Sequence, residues 1–155
     1  MSESINWKES SSFTSAEESP GFLLWRTQLI WRRKIENVLR PLEITHPQFV
    51  ILTSLAYLNQ SGKLISQVEL ATHSSYDITT TSQILRLLEK RGLITRTMQS
   101  GNEKTKYPQI TATGIKIFQA AINTVETADT EFFAKLPEEE IRQLNRMLVR
   151  LSSFN

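Results

Sequence analysis

Thr79, Gln83, Arg86 and Lys90 follow one another at steps of four, three and four residues. That spacing stacks side chains along one face of an α-helix. Each has a base-edge chemistry in a major groove. A glutamine amide matches adenine, an arginine fork matches guanine, and threonine offers a hydroxyl or a methyl to thymine. The bland alternative for the same face is an ordinary solvated helix surface. Projected from Ile78, the apolar side of this segment is centred on Thr81, Ile84, Leu85 and Leu88, with Thr80 and Ser82 at the flanks of the polar face. Leu87 sits at the edge of that face, able to touch a base methyl or to pack on a neighbouring helix. The segment opens with weak helix formers, Thr79, Thr80, Thr81 and Ser82, behind Asp77, a suitable N-cap.

Charge is concentrated beside this face. From Gln83 to Lys106 the cations Arg86, Lys90, Arg91, Arg96, Lys104 and Lys106 outnumber Glu89 and Glu103, in a chain whose net charge is only +2. A local excess of this kind is the footprint expected of phosphate binding. Thr79, Thr80, Ser82, Gln83, Arg86, Lys90, Arg96, Lys104 and Lys106 are therefore the candidate contacts to double-stranded DNA.

Other chemistries find less support. The 155 residues contain no cysteine, so thiolate sites and disulfides are excluded, and with only two histidines, His46 and His73, a histidine-rich metal centre is not expected. No nucleophile–base pair, phosphate loop or metal constellation is visible. The expectation is a protein that is not an enzyme and has neither cofactor nor metal. No apolar run nears the ~20 residues of a membrane span, and no signal peptide opens the chain, so a cytoplasmic location is expected.

Stepping along the chain gives the elements that must hold the polar face. Residues 1–20 read as a polar, serine-rich arm or short docking helix with Trp7 and Phe13 as its apolar anchors. A long helix is predicted from about Gly21 to Arg40, ended by Pro41. Its first half is apolar nearly all round, so it contacts something besides its own domain. Thr45/Gln48 and Ser66/Glu69 have capping-box spacing and open two more helices. Lys63–Ile65 between them is read as one short strand, and Leu93–Thr111 as a β-hairpin in which Pro108 marks an edge strand. Two helices with narrow apolar stripes close the chain over 112–155.

The predicted class is mainly α with a small β-hairpin wing, a winged helix-turn-helix flanked by helices. The stretches LEITHPQFVIL, ISQVELATHS, TTTSQILRLLEKRGLITR and ITATG, in this order, resemble the MarR family of bacterial transcription factors. The resemblance covers about Pro20 to the C-terminus. It implies a single domain over 21–155, with dimerisation helices at 21–40 and 112–155 around a DNA-binding lobe at 45–111. It also implies a homodimer on a pseudo-palindromic operator, acting as a repressor and released by a small aromatic or amphipathic effector.

Phe22, Trp25, Leu29, Ile141, Leu144, Leu148 and Leu151 are the candidate dimerisation residues. Trp25, Trp31, His46 and Phe49 are the candidate effector contacts, with core packing as their bland alternative. The family's usual Asp-x-Arg pattern is missing from the wing between Gln99 and Lys106. Lysine-to-phosphate contact is the substitute expected there. The alternative function is a winged-helix module that grips a protein rather than DNA.

Overall fold

The computed structural model describes residues 6–99 and 102–153, with side chains at 61, 99 and 102–106 outside that description. The chain divides into two compact units, Met1–Lys34 and Ile35–Asn155.

In the first unit a short helix, α1 (Trp7–Ser10), and a 3-10 turn (Ala16–Glu18) precede α2 (Pro20–Leu39), which runs on into the second unit. The arm is tied by its own polar groups. Trp7 Nε1 donates to the Phe13 carbonyl at 2.9 Å, and the Thr14 N–H and hydroxyl both donate to the Glu18 carboxylate at 2.7 Å. These bonds hold the Glu18 carboxyl below the usual carboxylate range. The Phe22 and Trp25 rings lie 5.6 Å apart, and the Arg26 guanidinium sits over Phe22.

In the second unit, α3 (His46–Leu58) and α4 (Gln67–Ser74) both open on complete capping boxes, Thr45 with Gln48 and Ser66 with Glu69. Each box satisfies two orphan N–H groups, which is why both helices start where the sequence says. Glu69 also receives the Lys63 ammonium at 2.7 Å, and this bond, followed by those from Ser66, lowers its pKa to about 2. A tight turn through Ser75, in the left-handed region at φ 58°, leads to α5 (Ile78–Lys90). The Gln67 amide donates to the Ile78 carbonyl at 3.2 Å across this turn. Ile35, Leu39, Ile51, Leu52, Leu55, Leu70, Leu85 and Leu88 are completely buried. The helices α3, α4 and α5 pack on one another and share one core. At ~1.5–3 kcal/mol for a fully buried aliphatic side chain, this packing holds α5 in place.

Gly92, at φ +69°, ends α5 and starts the antiparallel hairpin β1 (Ile94–Gln99) and β2 (Asn102–Ile110), paired from Ile94↔Ile110 to Met98↔Lys106 before an irregularity at Gln99. Lys63–Ile65 forms no strand. Only three residues separate the left-handed Gly62 from the Ser66 cap, and Pro108 on β2 has no N–H to offer a further ladder. Val68 of α4 faces solvent.

The hairpin root is joined firmly to α6 (Ala112–Phe133). Thr111 donates its hydroxyl to the Gly92 carbonyl at 2.7 Å and accepts from the Gly114 N–H at 3.0 Å. The approach is so close that a Cβ on Gly114 would stand 2.0 Å from the Leu93 carbonyl oxygen. The last helix, α7 (Glu138–Ser152), buries no residue despite its apolar stripe. Among the described residues no helix is long and apolar enough to cross a membrane.

Candidate nucleic-acid interface

Helix α5 presents its two faces as the projection requires. Thr81, Leu85 and Leu88 are fully buried and Ile84 nearly so, while Thr79, Gln83, Arg86 and Lys90 are exposed. Among the described residues, none of these four outward side chains has a hydrogen-bond or ion-pair partner. They form a row of uncommitted donors and acceptors with the cations toward the C-terminal end. Leu87, at 52% exposed, flanks the row.

The weak helix formers at the start of α5 divide by role. Asp77 Oδ1 accepts from the Thr80 N–H at 2.8 Å, and Oδ2 accepts from the Thr80 hydroxyl at 2.6 Å. These bonds lower the Asp77 pKa, the Thr80 hydroxyl contributing most. Thr81, buried, donates its hydroxyl back to the Asp77 carbonyl at 2.9 Å. Thr80 and Thr81 are thus used in building the helix start. Thr79 points outward, and Ser82 lies half-buried at the flank.

The local cations divide in the same way. Arg96 on β1 reaches Glu89 of α5 through Nε at 2.9 Å and through Nη2, and its side chain is only 15% exposed. Arg91 donates to the carbonyls of Glu43 and Leu42. Both guanidinium groups brace α5, Arg96 against the wing and Arg91 against the loop before α3. Arg86 and Lys90 remain open. Lys104 and Lys106 are on β2, but their side chains lie outside the described residues.

The effector candidates fall on both units. Trp25 is exposed and Trp31 half-buried on the first, whereas His46 is half-buried and Phe49 belongs to the core of the second. A residue absent from the sequence reading joins them. Thr53 Oγ1 is buried with no partner among the described residues. It lies two helical turns beyond His46 on the same face of α3. Its seven-residue step from His46 was the available signal.

Of the dimerisation candidates, Phe22, Trp25, Leu148 and Leu151 are exposed, while Leu29, Ile141 and Leu144 are half-buried.

A sequence profile described as "MarR family" matches residues 44–106. The chain is 36% identical over 130 residues to the uncharacterized HTH-type transcriptional regulator YdcH of Bacillus subtilis, covering 84% of this chain and 88% of that protein. It is 33% identical over 139 residues to the HTH-type transcriptional repressor Rv2887 of Mycobacterium tuberculosis, covering 89% and 97%. The crystal structure of Rv2887 in complex with DNA superposes with a TM-score of 0.68 at 30% identity, over 87% of this chain and 98% of that one.

Proposed function

The chain belongs to the MarR family of transcriptional regulators, and from that premise we propose that it is a homodimeric repressor reading a pseudo-palindromic operator through α5. The observation that carries this reading is the outward row Thr79, Gln83, Arg86 and Lys90, whose polar groups have no partner among the described residues while the opposite face is locked into the core. Polar groups left open on an otherwise fully braced helix suit a groove, where base edges complete their hydrogen bonds. The DNA complex of Rv2887 supports the same use of the fold.

Dimerisation follows from α7, an amphipathic helix that buries nothing within the chain, together with the exposed apolar residues of α2. Symmetric pairing of two copies covers such surfaces and sets two α5 helices one turn of DNA apart, ~34–36 Å. Lys104 and Lys106 supply phosphate contacts from the wing. Arg96 serves by holding the wing against α5 through Glu89.

A small aromatic or amphipathic effector is proposed to bind on the α3 face bearing His46 and Thr53, with Phe49 between them as a further candidate. The orphan Thr53 hydroxyl is its polar handle, and the complex of Rv2887 with p-aminosalicylic acid supports the ligand class. A cytoplasmic location goes with this reading, since a DNA-binding regulator of this family works where its DNA is.

Titration of labelled duplexes with wild type and Gln83→Ala tests the core of this reading. Loss of preference for operator over random DNA supports it. An unchanged ratio of the two affinities refutes direct readout by α5.

A further inference from the structure

A hollow with no α5 residue in its lining lies beyond the His46–Thr53 stretch, at the C-terminal end of α3. It has a volume of about 480 Å³ and is bounded by the C-terminal end of α3, the loop to α4, the end of β2 and the start of α6. That size is within the range of small-molecule sites, ~300–1,000 Å³.

Its apolar lining comes from Ala56, Leu64, Ile110, Ile115 and Phe118. Ile115 is 46% exposed, although it begins the apolar stripe of α6. A Leu, an Ile and a Phe that are half-buried beside it give a ring a surface to lie on. The polar lining is made of carboxamides, Asn59, Gln60, Gln109 and Gln119. Among the described residues none of these four amides has a side-chain hydrogen-bond partner.

Charge is absent from this lining in any usable form. Among the described residues Lys63 is the one ionisable residue in it, and its ammonium is held by the Glu69 carboxylate at 2.7 Å. An anionic ligand would have to compete with that carboxylate. A neutral ligand meets only amides, each carrying both donors and an acceptor.

We propose that this hollow is a binding site for a neutral planar ring with an amide- or imide-type edge. The ring would lie on Phe118 and Ile115, and its edge would exchange donor and acceptor bonds with the glutamine amides. The site is independent of the DNA reading above, since it uses none of the α5 side chains. It also joins two parts of the fold that are anchored differently. The α6 start is pinned to the wing root by Thr111 and Gly114, whereas the loop runs from Gly62 to the Ser66 cap of α4.

The test is heteronuclear NMR on the full-length protein titrated with benzamide, uracil and, as the isosteric anion, benzoate. Saturable shifts are expected with at least one neutral probe at the amides of Gly62, Leu64 and Gln119 and at the side-chain amides of Gln60 and Gln109. Benzoate is expected to bind there at least tenfold more weakly. Ile115→Trp fills the hollow from an exposed position and should abolish the shifts while leaving the remaining spectrum folded. Gln119→Ala should weaken binding without filling it. Three results would overturn the proposal: no saturable shift from either neutral probe, equal binding of benzoate and benzamide, or unchanged binding in Ile115→Trp. Because operator binding is measured separately, failure here leaves the α5 reading untouched, and the reverse also holds.

Discussion

At the scale of single residues, the start of α5 divides structural from recognition roles among neighbours of the same type. Thr80 and Thr81 close on Asp77, so they belong to the cap, whereas Thr79 and Gln83 are open. Gln83→Ala and Arg86→Ala should each cost ~1–3 kcal/mol of operator affinity and relax preference at one position per half-site. Competition binding against operator variants checks this. Asp77→Ala should lower the melting temperature, and this difference depends on pH in a fixed direction. Asp77 has a folded pKa below its unfolded value of ~3.9. Its contribution is therefore full above that unfolded value and is lost as pH falls through the folded one. Melting curves of both proteins should separate at pH 7 and converge in strong acid. Glu69, held at about 2 mainly by Lys63, should behave in the same way, with Glu69→Ala and wild type converging only as pH approaches 2.

At the scale of elements, the helices were legible because their start signals and core stripes are local. Thr45 with Gln48, Ser66 with Glu69, and Asp77 are all caps in the structure, and the buried set of α5 is the one its periodicity names. What sequence order could not carry was tertiary. The Arg96–Glu89 bond spans a helix end and a strand, and Arg91 reaches carbonyls 48 and 49 residues away. Lys63–Ile65 failed as a strand because extended residues become one only when a neighbour has free ladder groups to offer. Gly114 also escaped notice, since its need for no side chain arises from the Leu93 carbonyl and not from its own turn. Gly114→Ala should cost about 1–3 kcal/mol or more, as overpacking against rigid backbone does, and denaturant unfolding measures it. The brace makes a second prediction. If Arg96 acts through Glu89, Glu89→Ala and Arg96→Ala should weaken operator binding to a similar degree, and the double variant should add little. Additive losses would instead mean that Arg96 contacts DNA itself.

At the scale of the whole molecule, a braced recognition helix becomes a specific reader only when two are held at a fixed separation. The apolar stripe of α7, with Leu148 and Leu151 exposed, provides the surface for this. Leu148→Asp with Leu151→Asp should leave the DNA-binding lobe folded, convert a dimer to monomer in sedimentation equilibrium and abolish tight operator binding. The central claim, that two copies of α5 read a symmetric sequence, is tested most directly by selecting bound sequences from random duplexes with the wild-type protein. The account predicts an enriched inverted repeat with half-site centres about one helical turn apart (~10 bp), degraded at one position per half-site by Arg86→Ala. Recovery of no common sequence, or of one without two-fold symmetry, would contradict it.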